Sequence, residues 1–272
     1  MEPFFSIIIP TLNEEHVLRY LLSDLQKQKE KNFEVIVVDG GSDDKTKEEA
    51  LKFKDFLSLA FFRNERKNVA YQRNYGAQKG QGKYLVFIDA DSRVSQSFIK
   101  VLRKTVERKK GLVFLPYNIP SENNSQTKLI WKFVNFLVEL SQSTGKPFST
   151  MGMIWEKNFF QTIGGFDEKV FIAEDHKIIQ EAHKWGVRAK FLNQVRVTFS
   201  LRRIKSEGQW VLLYKYLLAT AYILFKGDIK KKIFAYDMGG DVNKIIRKSL
   251  FSKQNFDKYL TQLKNFFGQY IS

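Results

Sequence analysis

Tyr84-Leu85-Val86-Phe87-Ile88-Asp89-Ala90-Asp91-Ser92 is the stretch that decides the fold, because it joins a continuous apolar run to two acids one residue apart. An apolar run without alternation is typical of a strand buried on both faces of a parallel sheet. Residues i and i+2 of an extended chain project to the same side, so Asp89 and Asp91 could hold one cation together. Hard divalent ions take oxygen ligands and keep positions open for substrate phosphates. The stretch therefore predicts a metal-dependent site for a phosphorylated substrate.

Two similar apolar runs come earlier in the chain, at Ser6-Ile7-Ile8-Ile9 and Val35-Ile36-Val37-Val38. Helical patterns follow them, from Glu15 to Gln28 and from Ser42 to Phe53, the second opening with a Ser-Asp-Asp cap and an acidic first turn. The order βαβα predicts an open α/β unit with a mostly parallel sheet over about the first 110 residues.

Three acids follow these runs directly: Asp39 after the second, and Asp89 and Asp91 after the later one. In open α/β sheets ligands bind outside the carboxyl ends of the strands, so we expect the three to meet at one rim. Any one of them alone would as readily be a cap or turn residue, but three together favour a site. No G-x-G-x-x-G or G-x-x-x-x-G-K-[ST] loop follows a strand, which argues against a Rossmann dehydrogenase or a P-loop NTPase.

The composition suits one large globular domain, alone or with an appendage, in a chain of 272 residues with 43% hydrophobic and 27% charged residues. Cysteine is absent and the three histidines lack zinc-type spacing, so neither disulfides nor a thiolate metal site is expected. The amino terminus enters a strand-like segment without a basic and apolar leader, so we expect no export signal.

The net charge of +16 indicates an anionic partner, which could be nucleic acid, a phospholipid surface or a phosphorylated substrate; a lysine-rich composition bias would explain it equally well. From Ser200 to Ser272 there are 14 basic against 5 acidic residues. The apolar run Trp210 to Phe225 is shorter than a bilayer span and contains Lys215. We expect a helix in the lipid headgroup region or one packed on the core, and favour peripheral attachment to the cytoplasmic face of the membrane.

The middle of the chain contains a largely apolar helical segment, Leu129 to Leu140, predicted to pack in the core, or otherwise against an apolar partner. Gly164-Gly165-Phe166-Asp167-Glu168 predicts a turn after a helical segment, Glu156 to Ile163. The acidic pair Glu174-Asp175 precedes a predicted helix, Ile178 to Trp185, as a cap or as a catalytic pair.

Six motifs in this order resemble the family 2 glycosyltransferases, which have the GT-A nucleotide-sugar-binding fold, over about 210 residues from Phe5. They are Ser6-Ile7-Ile8-Ile9-Pro10-Thr11-Leu12-Asn13-Glu14, Val38-Asp39-Gly40-Gly41-Ser42-Asp43-Asp44, Arg73-Asn74-Tyr75-Gly76-Ala77, Asp89-Ala90-Asp91, Gly164-Gly165-Phe166-Asp167-Glu168 and Glu174-Asp175. Ser200-Leu201-Arg202-Arg203 is similar to a Ser-x-Arg-Arg element of the short non-processive branch. Only Gln209-Trp210 matches the Gln-x-x-Arg-Trp motif of the processive synthases, so long polymer synthesis is not expected.

The resemblance implies roles for these residues. Asp39 would accept hydrogen bonds from the base, Arg73 would approach the nucleotide, and Asp175 would be the general base. The metal, Mg²⁺ or Mn²⁺, would be held by Asp91 with Asp89 beside it. The implied nucleotide-sugar-binding residues are Pro10, Thr11, Asn13, Glu14, Asp39, Gly41, Ser42, Arg73, Asp89, Ala90 and Asp91. The acceptor or diphosphate side would take Gly152, Glu174, Arg202, Arg203 and Trp210.

The resemblance thus implies an inverting transfer of a sugar from a nucleoside diphosphate, UDP favoured over GDP, to a hydroxyl acceptor that is lipid-linked or membrane-borne. We expect a catalytic domain at 1–205, with a nucleotide-binding half at 1–110 and an acceptor half at 111–205, followed by a basic helical tail at 206–272. A metal-dependent nucleotidyltransferase remains an alternative, although it predicts a basic, Gly-rich loop where Thr11-Leu12-Asn13-Glu14-Glu15 stands. A non-catalytic basic module is a third; nucleic acid is not an expected partner.

Overall fold

The computed structural model describes residues 2–122, 124–170 and 173–200. The strands are β1 (Phe5–Thr11), β2 (Phe33–Asp39), β3 (Leu59–Arg63), β4 (Tyr84–Phe87), β5 (Arg93–Val94), β6 (Val113–Pro120), β7 (Met153–Glu156) and β8 (Lys190–Phe199). The helices are α1 (Leu18–Gln26), α2 (Thr46–Leu51), α3 (Val69–Lys79), α4 (Phe98–Lys109), α5 (Ser125–Ser141), α6 (Lys157–Thr162) and α7 (Glu174–Lys184).

These strands form one mixed sheet in the order β3-β2-β1-β4-β7-β6-β8-β5. The first four are mutually parallel, and Thr11 pairs with Asp39 where β1 and β2 end. This confirms the predicted α/β class and the three predicted strands. β3 was not predicted; it is an edge strand whose last residue, Arg63, is exposed. β7 runs antiparallel to both β4 and β6, and this reversal was also not predicted.

The sheet is buried on both faces, which explains why its strands lack alternation. Ile7 and Ile9 lie in a cluster with α1 and α4, whereas Ile8 lies in a second cluster on the other face with residues of α3, α6 and α7. All three isoleucines are fully buried. Each such side chain contributes roughly 1.5–3 kcal/mol by leaving water.

A glycine sets the distance between α3 and the sheet. A Cβ atom at Gly76 would lie 2.5 Å from Cγ2 of Ile8 and 3.2 Å from Cγ2 of Val38. The helix can therefore pack on β1 and β2 at this distance only with glycine at this position. This close packing brings the polar residues of α3 to the carboxyl ends of the strands.

Two predicted helix starts differ from the structure. α1 begins at Leu18 rather than Glu15, and α2 begins at Thr46 rather than near Ser42. The predicted Ser-Asp-Asp cap is wrong in detail, because no side chain caps the helix at its N-cap residue Lys45. Asp44 instead accepts a bond from the Thr46 amide at 3.0 Å, and Ser42 turns toward the strand end.

Helix α5 packs against the sheet through a polar residue. Asn135 is buried and exchanges two hydrogen bonds with the backbone of Asn118 in β6, at 2.9 and 2.8 Å. The opposite face is apolar and is called the α5 face below. Its six residues are 42 to 69% exposed: Leu129, Ile130, Phe133, Phe136, Leu137 and Leu140. The predicted core placement is wrong for these side chains, because the side-chain amide of Asn135 faces inward to hydrogen-bond the Asn118 backbone and the apolar face is directed outward.

The predictions for the carboxyl-terminal quarter, from Arg202 and Trp210 to the basic tail at 206–272, fall outside the described residues. The domain boundary near 205 therefore stays a prediction. Among the helices of the described part, none is long and apolar enough to cross a bilayer.

Candidate active site

The carboxyl ends of β1 and β2 form the first part of the site, centred on the buried Asp39. Its carboxylate accepts hydrogen bonds from the amides of Gly41 and Ser42, at 3.3 and 3.0 Å, and from the Ser42 hydroxyl. The Thr11 hydroxyl donates a further bond of 3.3 Å from the neighbouring strand. Gly41 has φ +86°, a conformation that favours glycine and lets the chain turn back onto the acid. Asp39 therefore holds the turn after β2 in shape.

The loop after β1 is fastened to the same turn. The amide of Asn13 donates to Oγ of Ser42 at 2.8 Å, and the Asn13 side chain accepts from the amide of Asp43 at 2.9 Å. The Glu14 amide donates to Oγ1 of Thr46 at 2.8 Å. The residues that the family resemblance assigned to nucleotide-sugar binding at these two loops thus lie together: Thr11, Asn13, Glu14, Asp39, Gly41 and Ser42. Pro10 precedes them, buried in β1.

Gln72 of α3 joins the two strand ends, a role that the sequence gave no reason to expect. Its Nε2 donates to the carbonyl of Thr11 at 2.7 Å and to that of Val38 at 2.8 Å. A buried glutamine satisfying two carbonyls holds β1 and β2 where the ladder ends. The residue type alone gives no signal for such a contact.

In the acid motif after β4, buried and partly exposed side chains alternate, as predicted for an extended chain. Ile88, Ala90 and Ser92 are at most 3% exposed, whereas Asp89 and Asp91 are partly exposed. The strand itself ends at Phe87, one residue earlier than predicted. Among the described residues no group of three His, Cys, Asp or Glu side chains could enclose a metal. Two neighbouring carboxylates still fit Mg²⁺ or Mn²⁺, because such ions bind through one or two carboxylates plus substrate phosphates.

Arg73 of α3 connects this motif to the start of α7. Its Nη2 donates to Oδ1 of Asp89 at 2.9 Å and its Nη1 to Oε1 of Glu174 at 2.7 Å. The side chain is 9% exposed, and its guanidinium lies 5.4 Å from the ring centre of Phe166. One buried cation therefore joins two acids that are 85 residues apart in the sequence.

The charges of this cluster are unequal. Burial alone would lower the pKa of Arg73, but the carboxylates of Asp89, Glu174 and Asp175 raise it, so the guanidinium stays charged. Burial raises the pKa of the Glu174 carboxyl, Arg73 opposes this, and the neighbouring Asp175 raises it again; the net direction is upward. One cation thus faces three carboxylates, and ionisation is least favourable at the buried Glu174.

Asp175 lies in the first turn of α7, where the sequence had placed it just before a helix. Its Oδ1 accepts a bond from the His176 amide at 2.9 Å and lies 3.4 Å from Nδ1 of His176. That second contact is not an ion pair, because Nδ1 already accepts the Ser149 amide proton at 3.2 Å. His176 therefore contacts the loop before β7 through Nδ1 and the Asp175 carboxylate through its backbone amide.

The Gly164–Glu168 segment follows α6 and is held by α3. Gly164 and Gly165 end the helix in a Schellman motif, with their amides donating to Gln161 and Phe160 at 3.1 Å. Asn74 accepts from the Phe166 amide and donates to the Phe166 carbonyl, both at 2.9 Å. This fixes Phe166 beneath Arg73. The sequence marked the glycine turn but not the role of Asn74.

Gly152, assigned to the acceptor side, precedes β7 with φ +84°. A Cβ there would lie 3.3 Å from Pro116 and 3.5 Å from the carbonyl of Phe87, the last residue of β4. The structure thus places it at the end of β4 near the acid motif, and assigns it no contact of its own. Arg202, Arg203 and Trp210 lie outside the described residues.

Comparison with known families then decides the class of protein. The model of the family described as "Glycosyl transferase family 2" matches residues 6–171. The chain belongs to this family. Within glycosyl transferase family 2 it is 22% identical over 272 residues to the glycosyltransferase GlyA of Streptococcus pneumoniae, covering 98% of this chain and 34% of that one.

A second relative of glycosyl transferase family 2 comes from Methanococcus voltae. It is a dolichyl N-acetyl-alpha-D-glucosaminyl phosphate 3-beta-D-2,3-diacetamido-2,3-dideoxy-beta-D-glucuronosyltransferase, 32% identical over 110 residues, which are 39% of this chain and 34% of that one. The chain thus spans about a third of the length of these curated relatives.

Solved structures show the same GT-A architecture. S. aureus TarS 1–349 in complex with UDP-GlcNAc matches with TM-score 0.61 and 18% identity, over 99% of this chain and 73% of that one. The mannosyltransferase PcManGT from Pyrobaculum calidifontis, in complex with GDP-Man and Mn²⁺, matches with TM-score 0.62 and 18% identity, over 84% of this chain and 71% of that one. At this identity the likeness establishes the fold.

Proposed function

We propose that this family 2 chain is an inverting glycosyltransferase that moves a sugar from a nucleoside diphosphate to a hydroxyl acceptor. The observation that carries the proposal is the Arg73 bridge between the acid motif at the end of β4 and the acidic pair at the start of α7. Such a displacement needs one group that stabilises the leaving diphosphate and another that acts as general base. The acid motif and the acidic pair, which the bridge joins, are our candidates for these two roles.

On the donor side, the loops after β1 and β2 would bind the nucleoside, with Asp39 and Thr11 beside the nucleobase. Asp89 and Asp91 would hold Mg²⁺ or Mn²⁺, which when bound supplies Lewis-acid stabilisation of the departing diphosphate. The structure of PcManGT with Mn²⁺ and a nucleotide sugar supports this cofactor class.

On the acceptor side, Asp175 would take the proton of the acceptor hydroxyl. The acceptor oxygen forms a bond to the anomeric carbon, the bond from that carbon to the diphosphate oxygen breaks, and the electron pair leaves with the diphosphate. Attack from the face opposite the leaving group inverts the configuration. A positioned base contributes roughly 10²–10⁴ in rate.

UDP is the favoured nucleotide. TarS structures with UDP and with UDP-GlcNAc support it, while PcManGT binds GDP-Man, so the choice of base requires a direct comparison.

The test is a thermal-shift panel of UDP, GDP, UDP-GlcNAc and GDP-Man, each with and without Mn²⁺. A ligand at 100 times its Kd stabilises the folded chain by about 2.7 kcal/mol. We expect a UDP-based ligand to raise Tm in the presence of Mn²⁺, and Asp175→Asn to keep this shift while losing UDP release from the donor. No Tm shift with any ligand of the panel would refute the transferase proposal. Undiminished UDP release by Asp175→Asn would show that Asp175 is not the base.

The acceptor is proposed to be membrane-borne or lipid-linked, with the protein held peripherally on the cytoplasmic face of the cell membrane by its basic charge. The exposed α5 face supports this, because six large apolar side chains along one helix suit a lipid boundary. The net charge of +16 suits anionic headgroups.

Vesicle co-sedimentation tests the membrane proposal. We expect the chain to pellet with vesicles containing phosphatidylserine, and Phe133→Ser with Phe136→Ser to reduce the pelleted fraction. Phe56→Ser is the matched control, since Phe56 is 62% exposed but lies outside α5. Recovery of the unaltered chain in the supernatant, with and without anionic lipid, would contradict membrane attachment.

A further inference from the structure

We propose that Arg73 and Glu174 act together as positioning residues: their buried ion pair fixes the first turn of α7, and with it Asp175, relative to the acid motif after β4. This inference rests on the proposed function, in which Asp175 is the base. It assigns Arg73 a different role from the nucleotide contact that the family resemblance implied.

The first argument is the commitment of the guanidinium. The Arg73 side chain is 9% exposed, and both of its terminal nitrogens donate to carboxylates. Its Nε is buried without a hydrogen-bond partner. An arginine that served chiefly to bind a nucleotide would have its donors facing the cleft, whereas Arg73 makes its two charge-assisted hydrogen bonds with Asp89 and Glu174 of the protein itself.

The second argument is the position of the two acids. Asp89 stands two residues after the end of β4, in the turn that leaves the central sheet, and Glu174 is the first residue of α7. The start of α7 also contacts the loop before β7 through His176, which accepts the Ser149 amide and whose ring centre lies 5.6 Å from that of Phe148. One turn further on, Ile178 and Ile179 pack in the apolar cluster beneath the sheet. Apolar packing thus holds the body of α7 on the sheet, whereas the Arg73 bridge is the polar link that ties its first residue, next to Asp175, to the acid motif.

The third argument is energetic. Glu174 is 13% exposed at its side chain, and its pKa is raised, with burial as the largest cause. A charged acid at such a place costs stability, and replacing a whole buried ion pair by well-packed hydrophobic residues of similar volume is often neutral for folding. A glutamate placed there despite this cost is better explained by the geometry it maintains than by stability.

The test compares Arg73→Lys and Glu174→Gln with Arg66→Lys. Arg66 is the matched control, because it also pairs with an acid, Glu168 at 2.6 Å, and stands just before the same helix, but its side chain is 52% exposed. Lysine keeps the charge but cannot span two carboxylates, and glutamine keeps an acceptor for Arg73 without the charge.

Three quantities are measured on the full chain: the Kd of UDP with Mn²⁺, the kcat of UDP release from UDP-GlcNAc, and deuterium uptake of a peptide covering 174–184. We expect Arg73→Lys and Glu174→Gln to lower kcat by roughly tenfold to a hundredfold, the cost of a catalytic group displaced by about 1 Å. The Kd of UDP should stay within about twofold, and uptake in 174–184 should rise. Arg66→Lys should leave all three unchanged. In a separate thermal melt at neutral pH, Glu174→Gln should not lower Tm.

A double variant separates coupled from independent roles. If the two residues act only through each other, Arg73→Lys with Glu174→Gln should lose no more activity than the worse single variant. Multiplied losses would overturn the proposal. So would a tenfold weaker Kd for UDP in Arg73→Lys with kcat retained, which would make it a nucleotide contact.

Failure of this inference and failure of the proposed function give different results. Unchanged deuterium uptake in 174–184 in both single variants overturns the positioning role, whatever the turnover. A wild-type chain that neither binds UDP nor releases it from UDP-GlcNAc, with uptake altered in the variants, keeps the positioning role for α7 and overturns the donor assignment.

Discussion

Replacing Gly165 by alanine is expected to destabilise the protein more than the same change at its neighbour Gly164. Both glycines have positive φ, +70° and +85°, where a side chain is strained by roughly 1–2 kcal/mol. They differ in their surroundings. A Cβ at Gly164 meets nothing within 4 Å, whereas one at Gly165 lies 2.7 Å from Oδ1 of Asn74 and 3.2 Å from Phe160.

The extra cost at Gly165 follows from what Asn74 is holding. An exposed amide would swing aside at little cost, but this one makes two bonds of 2.9 Å to Phe166 and one of 3.1 Å to Glu168. Each such bond is worth about 0.5–1.5 kcal/mol. We therefore expect Gly165→Ala to cost about 1–3 kcal/mol more than Gly164→Ala. The shift of Phe166 away from Arg73 should also lower kcat.

Urea unfolding followed by circular dichroism at 222 nm measures the difference, as the change in midpoint multiplied by the m-value. Gly186→Ala is a second control, because Gly186 has φ +75° and open space around it. It should match Gly164→Ala. Equal losses of unfolding free energy at Gly164 and Gly165 would show that backbone strain alone explains the need for both glycines. They would refute the idea that the hydrogen bonds of Asn74 resist a side chain at Gly165.

Three further predictions concern other contacts. Because the pKa of Glu174 is raised from 4.5, wild-type stability should fall relative to Glu174→Gln as pH rises above that value; a Tm difference that stays constant from pH 4 to 7 would contradict this. Asp24→Asn should cost about 1–2 kcal/mol in urea unfolding, because it breaks a bidentate pair with Arg93 at 2.6 and 2.8 Å. Gly76→Ala should destabilise by about 1–2 kcal/mol despite better helix propensity, since its Cβ meets Ile8 at 2.5 Å; a more stable variant would show that α3 can shift.

The parallel half of the fold was predictable because its signal is local. Three unbroken apolar runs predict strands buried on both faces, and the structure has them as β1, β2 and β4. The acids after them were predictable for the same reason, since a strand end is a position in the sequence. β7 was not predicted, because Met153–Glu156 gives no sign of which direction a strand runs within a sheet.

The contacts that organise the site were harder to predict from the sequence. Gln72 and Asn74 act on carbonyls and amides that are distant in sequence, and backbone groups leave no mark in the residue type. Arg73 was marked by resemblance, but its partners were not. The inverted packing of α5 was hidden because a largely apolar helix gives no sign that an asparagine, Asn135, is the residue that turns inward.

Helix α3 constrains how the chain can vary in length. Asn68 caps the helix, Gln72 holds the strand ends, Arg73 joins the acids, Asn74 holds the turn after α6, and Gly76 packs on β1. One residue inserted in an α-helix rotates everything beyond it by about 100°. A single insertion between Asn68 and Gly76 would therefore leave the contacts on only one side of it in register and break those on the other. Exposed loops such as 143–146 should accept insertions, whereas this nine-residue span should have one permitted length.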